Sequence, residues 1–218
     1  MIKNAKNPLP PDIFTLIAVD FLILFYSLFL HYSGFTGITT SPLSPGPPFP
    51  AAVVAAAVVL PKDARILYVN DSKQLSEKKR EELYDVIMKE AISVGVGIAS
   101  PARIDEINIL QADYEAMRDA VSKLSVQPDL LLNDAVIIPG LNMKQISIIK
   151  GDAKSLSIAA ASIIAKVTRD RMMYEYDRLY PEYGFASNKG YGSQTHIVAL
   201  KEYGPCPIHR NTFIGNFV

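Results

Sequence analysis

The chain has 218 residues, a length that fits one domain or one domain with an appendage. Its 49% hydrophobic and 20% charged residues exclude a largely disordered protein, and its equal counts of Lys+Arg and Asp+Glu, 22 each, give no overall sign of a polyanionic partner. The single cysteine, Cys206, excludes an intramolecular disulfide, argues against a zinc site and favours a reducing, cytoplasmic setting.

Residues 1–50 differ in composition from the rest of the chain. Phe14–Leu30 is nearly all apolar but contains Asp20. A membrane-spanning helix needs about 20 apolar residues, and a central Asp costs roughly 2.5–3.5 kcal/mol, so a membrane anchor is not favoured. Ser41–Pro50 holds five prolines and is predicted to be an extended linker. We therefore separate an atypical segment, 1–50, from a domain, 51–218.

From residue 51 onward, short apolar strands alternate with helices. The predicted strands are Ala52–Leu60, Arg65–Asn70, Val94–Ala99, Leu130–Asn133 and Ile146–Ile149. The predicted helices are Glu77–Ala91, Pro101–Ile107, Ala112–Leu124, Leu156–Leu179 and Gln194–Tyr203. This alternation predicts an α/β fold in which helices flank a mixed, largely parallel sheet, with a helical extension at the C-terminus.

Two aspartates follow the last two predicted strands. Parallel strands would place Asp134 and Asp152 at one carboxyl edge of the sheet, where open α/β sheets bind ligands, whereas a hairpin would separate them. The eleven-residue link 135–145 is barely long enough for a parallel crossover. The parallel arrangement predicts a site for Mg²⁺ or Mn²⁺, and the flanking Lys150 and Lys154 suit phosphodiester chemistry. The alternative is that Asp152 only caps the next helix and Asp134 is a turn residue.

Two polar loops could contact a phosphate or a sugar. In 70–73, Ser72 and Lys73 could present a hydroxyl and an ammonium to a phosphate, although such tetrapeptides are more often turns and caps. In the glycine loop Gly184–Ser193, Lys189 supplies charge and Tyr191 a ring for stacking on a sugar or base, although loop tyrosines usually pack locally.

The end of the chain adds a weaker signal. From Lys144 onward there are ten Lys/Arg against six Asp/Glu, which suits a phosphate-facing surface but also an ordinary solvated one. His196 and His209 are predicted to be structural, because a hydrolase that uses metal-bound water needs no histidine base.

Seven segments share their order and composition with one known family. They are Val53–Val58, Asn70–Lys73, Gly97–Ser100, Ile104–Ile109, Lys150–Asp152, Lys189–Gly192 and Pro205–Arg210. Together they closely resemble ribonuclease HII, the type 2 ribonuclease H of bacteria, over roughly three quarters of the chain. The resemblance implies a ribonuclease H-like fold and cleavage of the RNA strand of RNA–DNA hybrids. It also implies incision on the 5′ side of ribonucleotides embedded in duplex DNA.

The family works by two-metal hydrolysis with four carboxylates and Mn²⁺ or Mg²⁺, and leaves a 3′-hydroxyl and a 5′-phosphate. By position, Asp134 and Asp152 match its third and fourth carboxylates, and Leu16–Asp20 matches its first strand and first aspartate. Tyr191 matches the tyrosine that packs on the sugar at the ribonucleotide–deoxyribonucleotide junction. The other predicted substrate-binding residues are Ser72, Lys73 and Lys189. The resemblance implies no stable protein partner, and we expect a monomer.

The N-terminal motif departs from the family. Phe21 stands where a glutamate belongs, and the family's Gly-Arg-Gly loop is missing from the sequence. Each preorganised electrostatic group lost costs about 10²–10³ in rate, and such losses are not additive. We therefore predict little or no activity for this polypeptide. The alternatives are a non-catalytic binder of RNA–DNA hybrids and a membrane-tethered relative anchored by Phe14–Leu30.

Overall fold

The computed structural model describes residues 18–19, 52–66 and 75–215. The strands are β1 (Ala18–Val19), β2 (Val53–Val59), β3 (Ser93–Ala99), β4 (Leu130–Asp134) and β5 (Lys144–Ile148). The helices are α1 (Glu77–Glu90), α2 (Pro101–Ile107), α3 (Ile109–Ser122), α4 (Gly151–Lys154), α5 (Leu156–Leu179), α6 (Phe185–Asn188), α7 (Gln194–Tyr203) and α8 (Asn211–Ile214). A single 3₁₀ turn, Pro181–Tyr183, precedes α6.

The described residues form two compact units. The first contains β1 and residues 54–66, 75–99 and 113–168, and the second contains residues 100–112 and 169–215. The first unit carries the strands, whereas the second is built from helices and loops around a separate apolar core.

The described strands form two sheets, one of β1, β2 and β3 and one of β4 and β5. β1 pairs with β2 in the antiparallel direction, and the strand order is β1-β2-β3. β4 pairs with β5 in the parallel direction, and β1 also contacts β4. Every residue of β2 is buried, as expected for a Val/Ala run covered on both faces. The predicted mixed α/β fold is confirmed, although the parallel direction holds for β4–β5 and not for β1–β2.

Two glycines in β3 allow α3 to approach the strand closely. A Cβ atom on Gly97 would lie 1.9 Å from the carbonyl oxygen of Ala116 and 2.7 Å from the backbone nitrogen of Ala120. A Cβ atom on Gly95 would lie 2.1 Å from the carbonyl oxygen of Ala120. Because the obstructing atoms belong to the backbone, they cannot move aside as a side chain could.

Replacing Gly97 by alanine should therefore destabilise the fold. We expect Gly97→Ala to lower the free energy of unfolding by at least about 2 kcal/mol, the usual cost of overpacking a close contact. The matched control is Gly215→Ala, because the nearest atom to its added Cβ is 4.0 Å away. Chemical denaturation of both variants measures the difference. A Gly97→Ala protein as stable as the Gly215→Ala protein would contradict this contact.

The second unit has its own apolar core. Its buried members are Met173, Tyr183, Phe185, Ala199, Leu200 and Ile214, which come from α5, the turn before α6, α6, α7 and α8. The rings of Tyr183 and Phe185 stack with centroids 5.3 Å apart. Phe185 belongs to the glycine loop Gly184–Ser193 and Ile214 to the C-terminal segment, so this core holds both of them in place.

Several element boundaries differ from the predictions. α3 begins at Ile109 because the side chain of Asn108 accepts hydrogen bonds from the next backbone N–H groups, those of Leu110 and Gln111. The predicted polar loop contains α6, and the predicted irregular tail contains α8. The predicted strand Arg65–Asn70 lies mostly outside the described residues.

The apolar segment Phe14–Leu30, for which a membrane anchor is not favoured, also lies largely outside them. Phe14–Leu30 overlaps the described chain only in β1. Over residues 52–66 and 75–215, the structure contains no helix long and apolar enough to cross a membrane.

Candidate metal centre and nucleic-acid loop

The parallel crossover between β4 and β5 is short and is held by one side chain. Gln145 accepts hydrogen bonds at Oε1 from Asn133 Nδ2 (2.9 Å) and from the backbone N–H of Ile138 (2.8 Å). Its Nε2 donates to the carbonyl oxygen of Ile138 at 2.9 Å. Of the two arrangements that the sequence left open, a parallel crossover and a hairpin, the structure has the parallel one, and the hydrogen bonds of Gln145 hold its link.

Asp134 ends β4 and is 4% exposed. Its Oδ1 accepts a hydrogen bond of 2.8 Å from the backbone N–H of Gly151, the first residue of α4. A Cβ atom on Gly151 would lie 2.6 Å from Ile158 Cδ1 and 3.4 Å from the Cα of Asp134. A side chain at position 151 would therefore require the Ile158 side chain to move away from the start of α4.

Asp152 is the second residue of α4, directly after the glycine that binds Asp134. Its Oδ1 accepts a hydrogen bond of 2.8 Å from the backbone N–H of Ala153, within its own turn. The long helix α5 begins later, and Ser155 Oγ accepts from Ile158 N at 3.5 Å at its start. The alternative that Asp152 caps a helix therefore fails for α5, whereas its contact with Ala153 lies within the first turn of α4. Both aspartates lie at the same edge of the β4–β5 pair.

The donor atoms at this edge, the carboxylate oxygens of Asp134 and Asp152, are of a type that binds divalent cations. Carboxylate oxygens are the ligands that Mg²⁺ and Mn²⁺ prefer. Within residues 52–66 and 75–215, however, no group of three or more His, Cys, Asp or Glu side chains could hold a metal ion. Asp134 and Asp152 therefore fit as part of a ligand set that needs further oxygen donors. Asp20, the predicted third donor, lies outside the described residues and follows β1, the strand that contacts β4.

The glycine loop of the second unit is ordered by backbone and buried side-chain contacts. Asn188 accepts from the N–H of Gly190 at Oδ1 (2.7 Å) and from the N–H of Tyr191 at its carbonyl (2.8 Å). Lys189 and Gly190 both have positive φ, +50° and +81°. This sharp turn leaves Tyr191 half-buried.

A buried arginine supports this turn. Arg169, on α5, is 3% exposed and donates from Nη2 to the carbonyl oxygen of Lys189 at 3.0 Å. Its Cζ lies 5.7 Å from the centroid of the Tyr191 ring, within the range of a cation–π contact. Lys189 Nζ lies 3.5 Å from the centroid of the Tyr174 ring. The Arg169 guanidinium thus lies beside the Tyr191 ring, whereas the Lys189 ammonium packs on the Tyr174 ring.

His196 and His209 are buried beside this loop. Their Nε2 atoms lie 3.0 Å apart, and His196 Nδ1 lies 2.9 Å from the carbonyl oxygen of Tyr191. Burial lowers the pKa of His196, and burial followed by repulsion from His196 lowers the pKa of His209 to about 4. Both rings are therefore neutral at pH 7, in keeping with the predicted structural role.

Sequence reasoning missed Gln145 and Arg169, and three of the residues that it predicted, Asp20, Ser72 and Lys73, lie outside the described residues. Gln145 lies in a short strand that the sequence indicates only through its apolar residues. Arg169 lies inside a long helix, and no spacing in the sequence distinguishes it from the other charged residues there. Ser72 and Lys73 lie outside the described residues, so their predicted contact with the substrate backbone stays a prediction.

The α/β arrangement, with two aspartates at one edge of the β4–β5 pair, defines a ribonuclease H-like protein. The solved structure of ribonuclease H2 from Pyrococcus horikoshii OT3 matches this chain with a TM-score of 0.66 and 28% identity. The match covers 78% of this chain and 90% of that one.

The chain belongs to the ribonuclease HII family, whose model matches residues 45–216. It is 71% identical over 169 residues to ribonuclease HII of Lachnoclostridium phytofermentans, covering 78% of this chain and 66% of that protein. It is 53% identical over 190 residues to ribonuclease HII of Caldanaerobacter subterraneus subsp. tengcongensis, covering 87% and 79%. The chain thus spans about two thirds of the length of the first of these relatives. The predicted family, one of hydrolytic nucleases, is confirmed.

Proposed function

We propose that this chain recognises RNA–DNA hybrids and DNA duplexes with embedded ribonucleotides. We further propose that its site is built for cleavage of the phosphodiester on the 5′ side of the ribonucleotide by two-metal hydrolysis, a reaction that this polypeptide performs slowly if at all because its N-terminal motif departs from the family. The observation that carries the proposal is the placement of Asp134 and Asp152 at one edge of a parallel strand pair, in a chain of the ribonuclease HII family. The products of this reaction are a 3′-hydroxyl and a 5′-phosphate.

Asp134, Asp152 and Asp20 are the proposed metal ligands. Mn²⁺ or Mg²⁺ bound there would supply charge stabilisation and an activated water at neutral pH. The contribution of the protein is orientation. The hydrogen bond from Gly151 holds one oxygen of the Asp134 carboxylate, so that its other oxygen faces a fixed direction. The buried position of Asp134 also lowers the local dielectric, which strengthens its interaction with a cation.

Tyr191 is the proposed contact with the sugar at the junction between ribonucleotide and deoxyribonucleotide. Its half-buried ring is held by the ordered turn at Lys189–Gly190 and has the Arg169 guanidinium nearby. A ring that is already positioned binds with a smaller loss of conformational entropy. Ser72, Lys73 and Lys189 are the proposed contacts with the phosphate backbone.

The departure at Phe21 favours a second candidate function. A chain that lacks one metal carboxylate and the Gly-Arg-Gly loop would keep the nucleic-acid-binding surface around Tyr191 but would cleave the phosphodiester more slowly. We therefore propose low or no cleavage by this polypeptide, with binding of hybrids preserved. A monomer in the cytoplasm is the proposed setting, and a membrane-tethered relative is the less favoured alternative.

The binding surface can be tested separately from catalysis. We expect Tyr191→Ala to weaken binding to a duplex with a single ribonucleotide by about 5–150-fold, because stacking on an aromatic ring is worth roughly 1–3 kcal/mol. Fluorescence anisotropy in Ca²⁺, with an all-DNA duplex for comparison, measures the affinity. Tyr203→Ala is the matched control, since Tyr203 is an exposed tyrosine on α7. Equal affinity of the two variants would contradict the proposed role of Tyr191.

A further inference from the structure

We propose that His196 and His209 form a hydrogen-bond relay with one fixed proton order, and that this relay positions Tyr191 for nucleic-acid binding. The inference rests on the proposed function of Tyr191. It concerns two residues that take no part in the proposed chemistry and that link the C-terminal segment to the glycine loop. Their role would be positioning, because neither residue is proposed to touch the substrate.

The ends of the relay are backbone groups, which fix its direction. At one end, His196 Nδ1 lies 2.9 Å from the carbonyl oxygen of Tyr191, which can only accept. At the other end, the backbone N–H of Cys206, which can only donate, points at His209 Nδ1 at 3.0 Å. Neither end can change its role.

The proton positions follow from these ends. His196 must carry its proton on Nδ1, so its Nε2 is an acceptor when the ring is neutral. The Nε2 atoms are 3.0 Å apart, so His209 must carry its proton on Nε2 and donate it to His196. His209 Nδ1 is then an acceptor, as the N–H of Cys206 requires. A 3.3 Å contact between His209 Nδ1 and the carbonyl of Cys206 is the competing arrangement, but it would set two hydrogens against each other.

Burial keeps this order intact near neutral pH. His196 is 0% exposed and His209 4% exposed, and the rings of Tyr183 and Phe185 surround them. A second proton on His196 would occupy Nε2 and break the Nε2–Nε2 contact, and a second proton on His209 would occupy Nδ1 and face the N–H of Cys206. Because burial lowers the pKa of both imidazoles, neither proton is taken up near neutral pH. Burial also raises the pKa of the Cys206 thiol, which lies 3.0 Å from His209 Nδ1 and stays protonated.

The relay ends on the backbone of the residue that carries the proposed stacking ring. The carbonyl oxygen of Tyr191 accepts both from His196 Nδ1 and from the N–H of Ser193 at 2.8 Å, which fills its two lone pairs. The N–H of Tyr191 donates to the carbonyl of Asn188 at 2.8 Å. With both of its peptide groups held, Tyr191 has little backbone freedom. The Nδ1 donor of His196, whose tautomer is set by the contact with His209, thus holds the peptide group that carries the ring.

Two substitutions of His196 separate positioning from stability. Asn places an amide N–H where Nδ1 stood, so His196→Asn keeps the donor to the Tyr191 carbonyl and loses the contact with His209. Gln extends to the Nε2 position, so His196→Gln keeps an acceptor for His209 and loses the donor to Tyr191. Both remove a buried ring, so both should lower the unfolding temperature by similar amounts.

We expect His196→Gln to weaken binding to a duplex with a single ribonucleotide by about tenfold, within the range of a lost stacking contact. His196→Asn should retain most of the affinity, measured by anisotropy in Ca²⁺. Equal affinities of the two variants would overturn the positioning role. On the unmodified chain, ¹⁵N NMR of the imidazoles should show His196 protonated at Nδ1 and His209 at Nε2 at pH 7. The opposite tautomers would overturn the relay whether or not the variants fold.

The same measurements distinguish this inference from the proposed function. If Tyr191→Ala binds as tightly as the unmodified chain, the proposed contact of Tyr191 with nucleic acid fails, and positioning for binding fails with it. The NMR tautomers would still decide whether the relay itself exists. If Tyr191→Ala weakens binding but His196→Gln does not, the proposed function stands and the positioning role is refuted.

Discussion

Replacing Asp134 by asparagine should weaken the binding of Mn²⁺ by at least about 10–100-fold, with little change in stability. A group that only orients a metal ligand is worth about 10–100-fold in affinity, and a direct ligand should be worth at least as much. Asparagine keeps an acceptor oxygen for the N–H of Gly151, whose hydrogen bond to Asp134 is 2.8 Å long. The start of α4 should therefore stay in place while one negative charge is removed.

Titration calorimetry with Mn²⁺ measures this change, and thermal unfolding without metal checks the fold. The control is Asp85→Asn, because Asp85 is an exposed carboxylate on α1. Equal weakening of Mn²⁺ binding in both variants would point to a diffuse charge effect. Unchanged affinity in Asp134→Asn would remove Asp134 from the metal centre, and would leave Asp152 without its proposed partner.

The strands and long helices of this chain were predictable because the spacing of the apolar residues and the residue types at the ends of each element indicate the same structure. α5 and α7 have the predicted limits, since Ser193 caps α7 and small or aliphatic residues fill the buried first turns of α5. The sequence did not decide between a parallel pair and a hairpin for β4 and β5, because the link 135–145 is barely long enough for a crossover and β5 is only partly buried.

The contacts that hold the candidate site were not predictable in the same way. Gln145 shortens the crossover through three hydrogen bonds to Asn133 and Ile138, which depend on tertiary geometry rather than on a local pattern. The one-turn helix α6 lies where polar and glycine residues suggested only a loop, because Phe185 is drawn into the core of the second unit. Burial of a single ring outweighed the local preference for a turn.

The histidine pair shows how a correct prediction can be incomplete. Metal-dependent hydrolysis needs no histidine base, which predicted a structural role for His196 and His209. Their spacing in the sequence does not reveal that the two rings meet, because the turn after α7 that brings His209 back contains Gly204 with a φ of +73°. Only the folded chain shows that the pair ends on the carbonyl of Tyr191.

We expect this chain to incise a duplex with a single ribonucleotide at least about 10²–10³-fold more slowly than ribonuclease HII of Lachnoclostridium phytofermentans, its relative at 71% identity. The resemblance to the family implies a glutamate, one of four metal carboxylates, where Phe21 stands, so we expect one negative charge fewer around the metals. We also expect the missing Gly-Arg-Gly loop to remove backbone donors to the ribonucleotide. Because both losses fall within one site, their effects should not multiply.

The matched test is Phe21→Glu, which returns the carboxylate and leaves the loop absent. We expect this variant to incise faster than the unmodified chain and still more slowly than the relative, with Mn²⁺ or Mg²⁺ and a labelled duplex as substrate. Asp134→Asn, made in each protein, shows whether the measured incision belongs to this site. A rate for the unmodified chain within about tenfold of the relative's, abolished by Asp134→Asn, would contradict the predicted inactivity. The substitution at position 21 would then be compensated by oxygen donors from other residues.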